Sequence, residues 1–180
     1  MTRYALLVRG INVGGKNKVV MAELRQELTE LGLGKVETYI NSGNIFFTST
    51  DSKSQLIEKL EAFFEVRYPF IQSFSLLSQE DYEAEVENLP AWWNEDLARK
   101  DVLFYTEGLD VEQVIEKVNS LELEDEVVHF GRLGIFWGKF SEESYYETAY
   151  HKYLLKMPLY RHITIRNAKT FDKIGQMLKK

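Results

Sequence analysis

Apolar residues recur along the chain at two alternating spacings, one typical of helices and one typical of strands. Met21, Leu24, Leu28 and Leu31 are three or four positions apart, so their side chains share one helix face. Short runs rich in Val, Ile, Phe and Tyr flank this set, and such runs favour strands. The pattern predicts a first half ordered strand, helix, strand, turn, strand, helix, strand. These predicted elements are residues 4–8, 21–31, 36–40, 44–48, 54–66 and 72–76.

The same pattern returns ninety residues later. The helix face that begins at Met21 recurs from Val111 with the same spacing, and residues 45–47 recur as the similar residues 135–137. The second helix of the first half, at residues 54–66, should therefore also recur. Its predicted counterpart in the second half has a largely aromatic face, which we expect to be buried against a sheet. The residues of that face are Tyr146, Tyr150, Tyr153 and Leu154.

Two side-chain pairs mark predicted helix starts. Ser78 with Asp81, and Asp110 with Gln113, have the spacing of capping boxes, in which each side chain binds a backbone amide of the first turn. We therefore expect one helix to begin after Ser78 and another after Asp110.

This order of elements is the split βαβ arrangement of ferredoxin-like domains. It predicts an α+β fold formed by tandem duplication of a ferredoxin-like βαββαβ unit, with two antiparallel sheets and helices packed on them. We expect residues 1–78 to form the first half, residues 79–98 a helical linker, and residues 99–180 the second half with a C-terminal helix. Trp92 and Trp93, in the linker, are predicted to be packing residues.

The two halves differ most between the first strand and the first helix. Residues 4–8 match residues 102–106 at an offset of 98 rather than 90, which leaves eight extra residues in the first half, within residues 9–20. A segment that one half omits is difficult to explain by folding alone, so we expect function here. The segment opens with Arg9, Gly10, Ile11, Asn12, Val13, Gly14, Gly15 and Lys16.

Two interpretations of this loop stay open. Glycine lets backbone amides turn inward, the next helix N-terminus adds partial positive charge, and Arg9 and Lys16 add full charges, so the loop could hold an anion. Alternatively, the glycines form turns at positive φ and permit close packing of helix on sheet. The spacing from Gly10 to Lys16 also fits a P-loop, but Asn17 lacks the hydroxyl that would hold magnesium and the helical pattern starts too late.

Composition narrows the class of protein. The chain has 180 residues, 44% hydrophobic and 28% charged, and no cysteine. Such a chain is typical of a globular protein and has no disulfide, thiolate metal site or cysteine nucleophile. Its N-terminal apolar run has only five residues, too few for a signal-peptide core or a membrane span. We therefore expect a cytoplasmic protein with no membrane partner.

Charge is unevenly distributed along the chain. The net charge is −6, but residues 51–150 hold 8 basic against 23 acidic residues, whereas the two ends together hold 14 against 5. If the two ends meet in space, they form a positive face on an acidic protein. The alternative is that the charges only solvate helix surfaces.

No residue pattern predicts a catalytic constellation. His129, His151 and His162 lack partners at metal-ligand spacing, and Ser42 has no neighbouring histidine to activate it. We therefore predict no metal and no cofactor, and we favour binding over catalysis while leaving enzymatic activity open.

Three segments of the chain resemble a bacterial family called domain of unknown function 1697. They are residues 9–15 (RGINVGG), residues 21–25 (Met-x-x-Leu-Arg) and residues 38–44 (TYINSGN). The ending at residues 164–167 (TIRN), with Thr170, resembles the closing motif of that family. The resemblance covers essentially the whole chain, implies a tandem ferredoxin-like fold and no established activity, and singles out the same loop.

Two positions depart from the pattern of that family. Asn41 stands where the family has glutamine before Ser-Gly-Asn, and Ala168 stands where it has tryptophan after Arg-Asn. The second departure argues against an aromatic ligand platform at the C-terminal motif.

The leading hypothesis is a protein that binds an anionic or phosphate-bearing small molecule at the loop. A second hypothesis is an interaction module that pairs with a partner protein or with a second copy of itself. Under these hypotheses the protein is a monomer or a homodimer. A third is single-stranded nucleic-acid binding, which is disfavoured because Phe46 and Phe47 are adjacent and face opposite sides of a strand. The candidate ligand-binding residues are Arg9, Gly10, Asn12, Gly14, Gly15, Lys16, Asn44, Arg166 and Asn167.

Overall fold

The computed structural model of the protein describes residues 1–180, which form two compact units. The first unit comprises Met1–Tyr82 and Lys173–Lys180, and the second comprises Glu83–Asp172. Each unit contains one four-stranded antiparallel sheet. The α-helices are α1 (Met21–Glu30), α2 (Lys53–Arg67), α3 (Gln79–Glu87), α4 (Val111–Asn119), α5 (Ala149–Lys152) and α6 (Ala168–Leu178).

The sheet of the first unit has the strand order β2-β3-β1-β4. Its strands are β1 (Thr2–Val8), β2 (Gly34–Tyr39), β3 (Asn44–Ser49) and β4 (Phe74–Ser78). Strand β1 is interior and runs antiparallel to β3 on one side and to β4 on the other. Helices α1 and α2 pack on one face of the sheet, where Leu24, Leu60 and Phe64 join Leu6 and Phe47 in one fully buried core.

Both faces of this sheet are buried. Tyr4 and Phe47 pair across β1 and β3 and stack with their ring centroids 5.6 Å apart on the α1/α2 face. Phe46 pairs with Ala5 on the opposite face and is also completely buried. Because all three rings are buried, none of them is available to stack on a base.

The sheet of the second unit repeats the topology, with the order β6-β7-β5-β8. Its strands are β5 (Arg99–Tyr105), β6 (Glu126–Phe130), β7 (Gly134–Lys139) and β8 (Ile163–Asn167). Trp93, in a 3₁₀ turn at Ala91–Asn94, is buried against Phe136 and Phe171, as a packing residue should be. The two sheets and their matching order confirm the predicted tandem ferredoxin-like α+β fold.

The register of the repeat differs by one residue from the sequence-based alignment. Leu6 pairs with Ile45 in the first sheet, and Leu103 pairs with Ile135 in the second. Leu6 therefore corresponds to Leu103, an offset of 97, and the first half has seven extra residues rather than eight. Pattern alone could not determine this register, because β1 and β5 are apolar on both faces.

The predicted aromatic helix of the second unit is wrong. Between β7 and β8 the chain forms only the short helix α5 and 3₁₀ turns at Tyr145–Glu147, Leu154–Lys156 and Pro158–His162. Tyr150 is buried, but Tyr146 and Tyr153 are 70% and 48% exposed. The buried Glu126 carboxylate causes this break, because it accepts hydrogen bonds from the first amides of α5.

A second buried carboxylate, that of Glu85 on α3, has an unsatisfied oxygen. Its Oε2 accepts a hydrogen bond from the Arg132 amide at 3.0 Å, whereas Oε1 has no partner. Burial raises the pKa of Glu85 above its usual range, with backbone amides opposing that shift. A pKa that is higher in the folded state means that stability is retained at low pH and lost as pH rises above the value in the unfolded chain.

We expect Glu85→Gln to remove this pH dependence. The variant should match the wild type near pH 4 and should exceed its stability by about 1 to 3 kcal/mol near pH 8, where the wild type must either bury a charge or bind a proton. Thermal unfolding from pH 4 to 8 measures the difference, with the exposed Glu87→Gln as the control. Parallel pH profiles for wild type and Glu85→Gln would contradict this account.

Candidate functional site

The loop of residues 9–20 leaves the sheet beside the β2–β3 turn. Strand β1 ends at Val8, whose amide donates a 3.0 Å hydrogen bond to the carbonyl of Gly43 in that turn. The antiparallel pairing of Leu7 with Asn44 places the end of β1 next to the start of β3. The loop and the β2–β3 turn therefore lie side by side at the same end of the sheet, because β1 and β3 are neighbours and run in opposite directions.

Left-handed backbone positions give the loop its shape. Gly10, Asn12, Gly14, Gly15 and Asn17 have φ values of 69°, 54°, 57°, 74° and 53°. The two central glycines form a tight turn that is closed by a 3.0 Å hydrogen bond from the amide of residue 16 to the carbonyl of residue 13. Two successive positive φ values are characteristic of a type I′ hairpin turn.

The loop glycines serve conformation and not close packing. A Cβ atom added at Gly10, Gly14 or Gly15 would meet no atom within 4 Å. The interpretation that these glycines admit a tightly packed helix is therefore wrong, whereas the interpretation that they form turns at positive φ is confirmed. In the adjoining turn, Gly43 differs, because an added Cβ would lie 2.3 Å from Cγ2 of Val8.

Asn12 joins the loop to the β2–β3 turn. Its Nδ2 donates to the carbonyls of Val19 (3.1 Å) and Asn41 (2.9 Å), and its Oδ1 accepts from the Val19 amide at 2.8 Å. Ile11 and Val19 are buried in the core on either side of the exposed residues 13–18. One side chain thus holds both the end of the loop and the neighbouring turn in place.

A cavity of about 400 Å³ opens between the loop, the β2–β3 turn and the start of α1. Two lysines line it, and no acidic residue does, although the protein has a net charge of −6. Neither lysine takes part in an ion pair in the structure. The lining residues are Asn12, Gly15, Lys16, Lys18, Val19, Val20, Met21 and Asn41.

Helix α1 starts at this cavity without a side-chain cap. Its N-cap residue is Val20, whose side chain cannot accept a hydrogen bond from the first-turn amides, and Glu23 is the acidic residue of that turn. Backbone amides at an uncapped helix start carry partial positive charge and lack partners. The other five α-helices have polar caps: Ser52, Ser78, Asp110, Thr148 and Asn167.

The repeat provides an internal comparison for this position. Val20 of the first half corresponds to Asp110 of the second, where Oδ1 accepts a 3.2 Å hydrogen bond from the Gln113 amide and caps α4. The half that has the loop leaves its helix start uncapped, whereas the half without the loop caps its helix with the Asp110 carboxylate.

Only three of the predicted site residues lie together at the cavity. Asn12, Gly15 and Lys16 line the cavity, whereas Arg9, Gly10 and Gly14 do not. Asn44 does not line it either; this side chain is fully buried and donates to the Tyr39 carbonyl and the Ser42 hydroxyl, so it supports the β2–β3 turn.

Arg166 and Asn167 belong to the second unit. The Arg166 guanidinium is buried and donates to its neighbouring Ile165 carbonyl at 2.9 Å, and burial lowers its pKa to about 10. Asn167 accepts from the Thr170 amide at 2.9 Å and caps α6.

Sequence reasoning missed five residues of the cavity wall. Two signals could have found them: the helical pattern starts several residues after Lys16, and its start lacks a polar N-cap. The missed residues are Lys18, Val19, Val20, Met21 and Asn41.

No three His, Cys, Asp or Glu side chains form a group that could hold a metal ion. None of the helices is both long and apolar enough to cross a bilayer.

The chain belongs to the family described as Protein of unknown function (DUF1697), whose model matches residues 1–136. The matched range includes the whole cavity but not the C-terminal motif at residues 164–167. Among solved structures, the chain is similar to that of conserved bacterial protein SP0830 from Streptococcus pneumoniae, with a TM-score of 0.97, 85% sequence identity and 98% of each chain covered. A comparison with curated proteins found no match.

We expect Asn12→Gly to loosen the loop. Glycine tolerates the positive φ of this position, so the substitution removes the three side-chain hydrogen bonds without adding backbone strain. The free energy of unfolding should fall by about 1 to 3 kcal/mol, and hydrogen exchange at the Val19 amide should accelerate.

Asn12→Asp provides the matched comparison. It retains an acceptor for the Val19 amide but directs carboxylate oxygens at the carbonyls of Val19 and Asn41, so it should also destabilise the loop. Unchanged stability and Val19 protection in both variants would refute the role of Asn12.

Proposed function

We propose that the protein binds an anionic, phosphate-bearing small molecule in the cavity beside α1. The single observation that carries this proposal is an uncapped helix start that opens into a cavity lined by two lysines and no acid. Amides at a helix N-terminus and nearby ammonium groups are the usual protein partners of phosphate groups.

The charges that face the cavity favour this ligand class. Lys16 and Lys18 are exposed and free of ion pairs, so they are available to a ligand without breaking a contact inside the protein. Glu23 in the first turn of α1 is the opposing charge, but it is not part of the cavity wall.

We expect inorganic phosphate to raise the melting temperature in a saturable way, with an effect that weakens as ionic strength increases. Lys16→Met and Lys18→Met should each weaken binding about 1.5- to 5-fold, because one exposed ion pair with the phosphate group contributes about 0.2–1 kcal/mol. Lys179→Met, which removes an exposed lysine outside the cavity, is the control. Equal affinity in the double lysine variant and the wild type would exclude this site.

We expect Val20→Asp to separate stability from binding. An aspartate at this N-cap should satisfy the first-turn amides, as Asp110 does in the second half, and should raise the free energy of unfolding by about 0.5 to 2 kcal/mol. The same carboxylate should occupy the anion position and abolish the phosphate-dependent thermal shift. A variant that is stabilised yet still binds phosphate as tightly as the wild type would contradict the proposal.

A further inference from the structure

The cavity is much larger than an inorganic anion. At about 400 Å³ it falls in the range of about 300–1,000 Å³ that is typical of pockets for small organic ligands. A phosphate ion has five non-hydrogen atoms and would fill only a small part of this volume. A ligand that fits the cavity therefore extends well beyond its anionic group.

One wall of the cavity is apolar. It consists of the consecutive residues Val19, Val20 and Met21, and Lys16 and Lys18 also line the cavity. Val19 is almost fully buried in the core, but Val20 is 42% exposed. The side chain of a valine at a helix N-cap provides no hydrogen bond to the first-turn amides and leaves apolar surface in contact with water.

This apolar surface is available to a ligand. Burying apolar area yields about 25 cal/mol per Å², so the wall can strengthen binding of a ligand that has an apolar body, and it offers nothing to a polar one. Asn41 adds an exposed amide side chain to the cavity, which can donate and accept hydrogen bonds.

From these observations we infer that the cavity takes an organic phosphate whose apolar body lies against Val20 and Met21 while its phosphate group lies at the α1 amides and the two lysines. This inference rests on the proposed function and adds the chemical class of the ligand. Val20 is then a specificity-determining residue, because its side chain contacts the apolar body and its lack of a polar atom leaves the first-turn amides to the phosphate.

Three probes that share a phosphate group test this inference by titration calorimetry on the full chain. They are inorganic phosphate, glycerol 3-phosphate with a polar body, and phenyl phosphate with an apolar ring. We expect phenyl phosphate to bind about tenfold more tightly than glycerol 3-phosphate, which corresponds to about 1.4 kcal/mol. Glycerol 3-phosphate should bind no more than a few times more tightly than inorganic phosphate.

A matched pair of variants assigns the preference to one side chain. Val20→Ala should reduce the ratio of phenyl phosphate to glycerol 3-phosphate affinity to below about threefold. Val13→Ala removes the same methyl groups from an exposed loop valine outside the cavity wall, and it should leave that ratio unchanged. Circular dichroism melts show whether each variant is folded.

The outcomes distinguish the two levels of the proposal. Equal affinity for phenyl phosphate and glycerol 3-phosphate, with both binding and both sensitive to Lys16→Met, would overturn the apolar-body inference and leave the anion site standing. No binding of any of the three probes at millimolar concentration would overturn the anion site and this inference with it. A preference for phenyl phosphate that persists in Val20→Ala would refute the role of Val20.

Discussion

The geometry of the cavity depends on the three hydrogen bonds of the Asn12 side chain. They join the carbonyl of Asn41 to both backbone polar groups of Val19, and so they tie the β2–β3 turn to the residue just before the N-cap of α1. Without these side-chain bonds the exposed residues 13–18 would be held by their own turn and by the bonds that join Asn17 to the backbone of Gly10 and Asn12. Asparagine suits the position because it tolerates a φ of 54° and offers both an acceptor and two donor hydrogens.

Duplication has produced two copies of one scaffold with different helix starts. In the second unit the chain passes from β5 to α4 by a short connection, and Asp110 caps the helix with its own side chain. In the first unit seven extra residues form a loop, and Val20 leaves the equivalent helix uncapped. A polar cap typically contributes about 1 kcal/mol to stability, so the first unit forgoes stability at a helix start that faces a cavity. Stability given up at one position is typical of sites that serve binding.

The fold was predictable from the sequence because its signals are periodic and repeated. The helix face at Met21, Leu24 and Leu28 and the apolar run at Phe46 and Phe47 both reflect burial of apolar surface, which is the dominant favourable term in folding. The aromatic helix of the second half was not predictable. Tyr146 and Tyr153 have helical spacing, but a distant carboxylate, Glu126, starts a new helix between them.

The candidate site was only partly predictable from the sequence. The extra loop identified the correct region, because a segment that one repeat lacks is visible without a structure. Tertiary hydrogen bonds determine which other residues line the cavity. Asn41 lines it because the Asn12 side chain holds the Asn41 carbonyl. Asn44 does not, because its side chain is fully buried and donates to the Tyr39 carbonyl within the β2–β3 turn. Such pairings over 29 residues leave no local pattern in a single sequence.

The most direct test is a titration of ¹⁵N-labelled protein with inorganic phosphate, followed by amide chemical shifts. If the start of α1 is an anion site, the largest shifts should occur at the Ala22 and Glu23 amides and in residues 15–18, and they should saturate together with one dissociation constant. Amides at the capped start of α4, such as that of Gln113, should not move. Shifts spread evenly over exposed amides, or equal shifts at the starts of α1 and α4, would contradict the account.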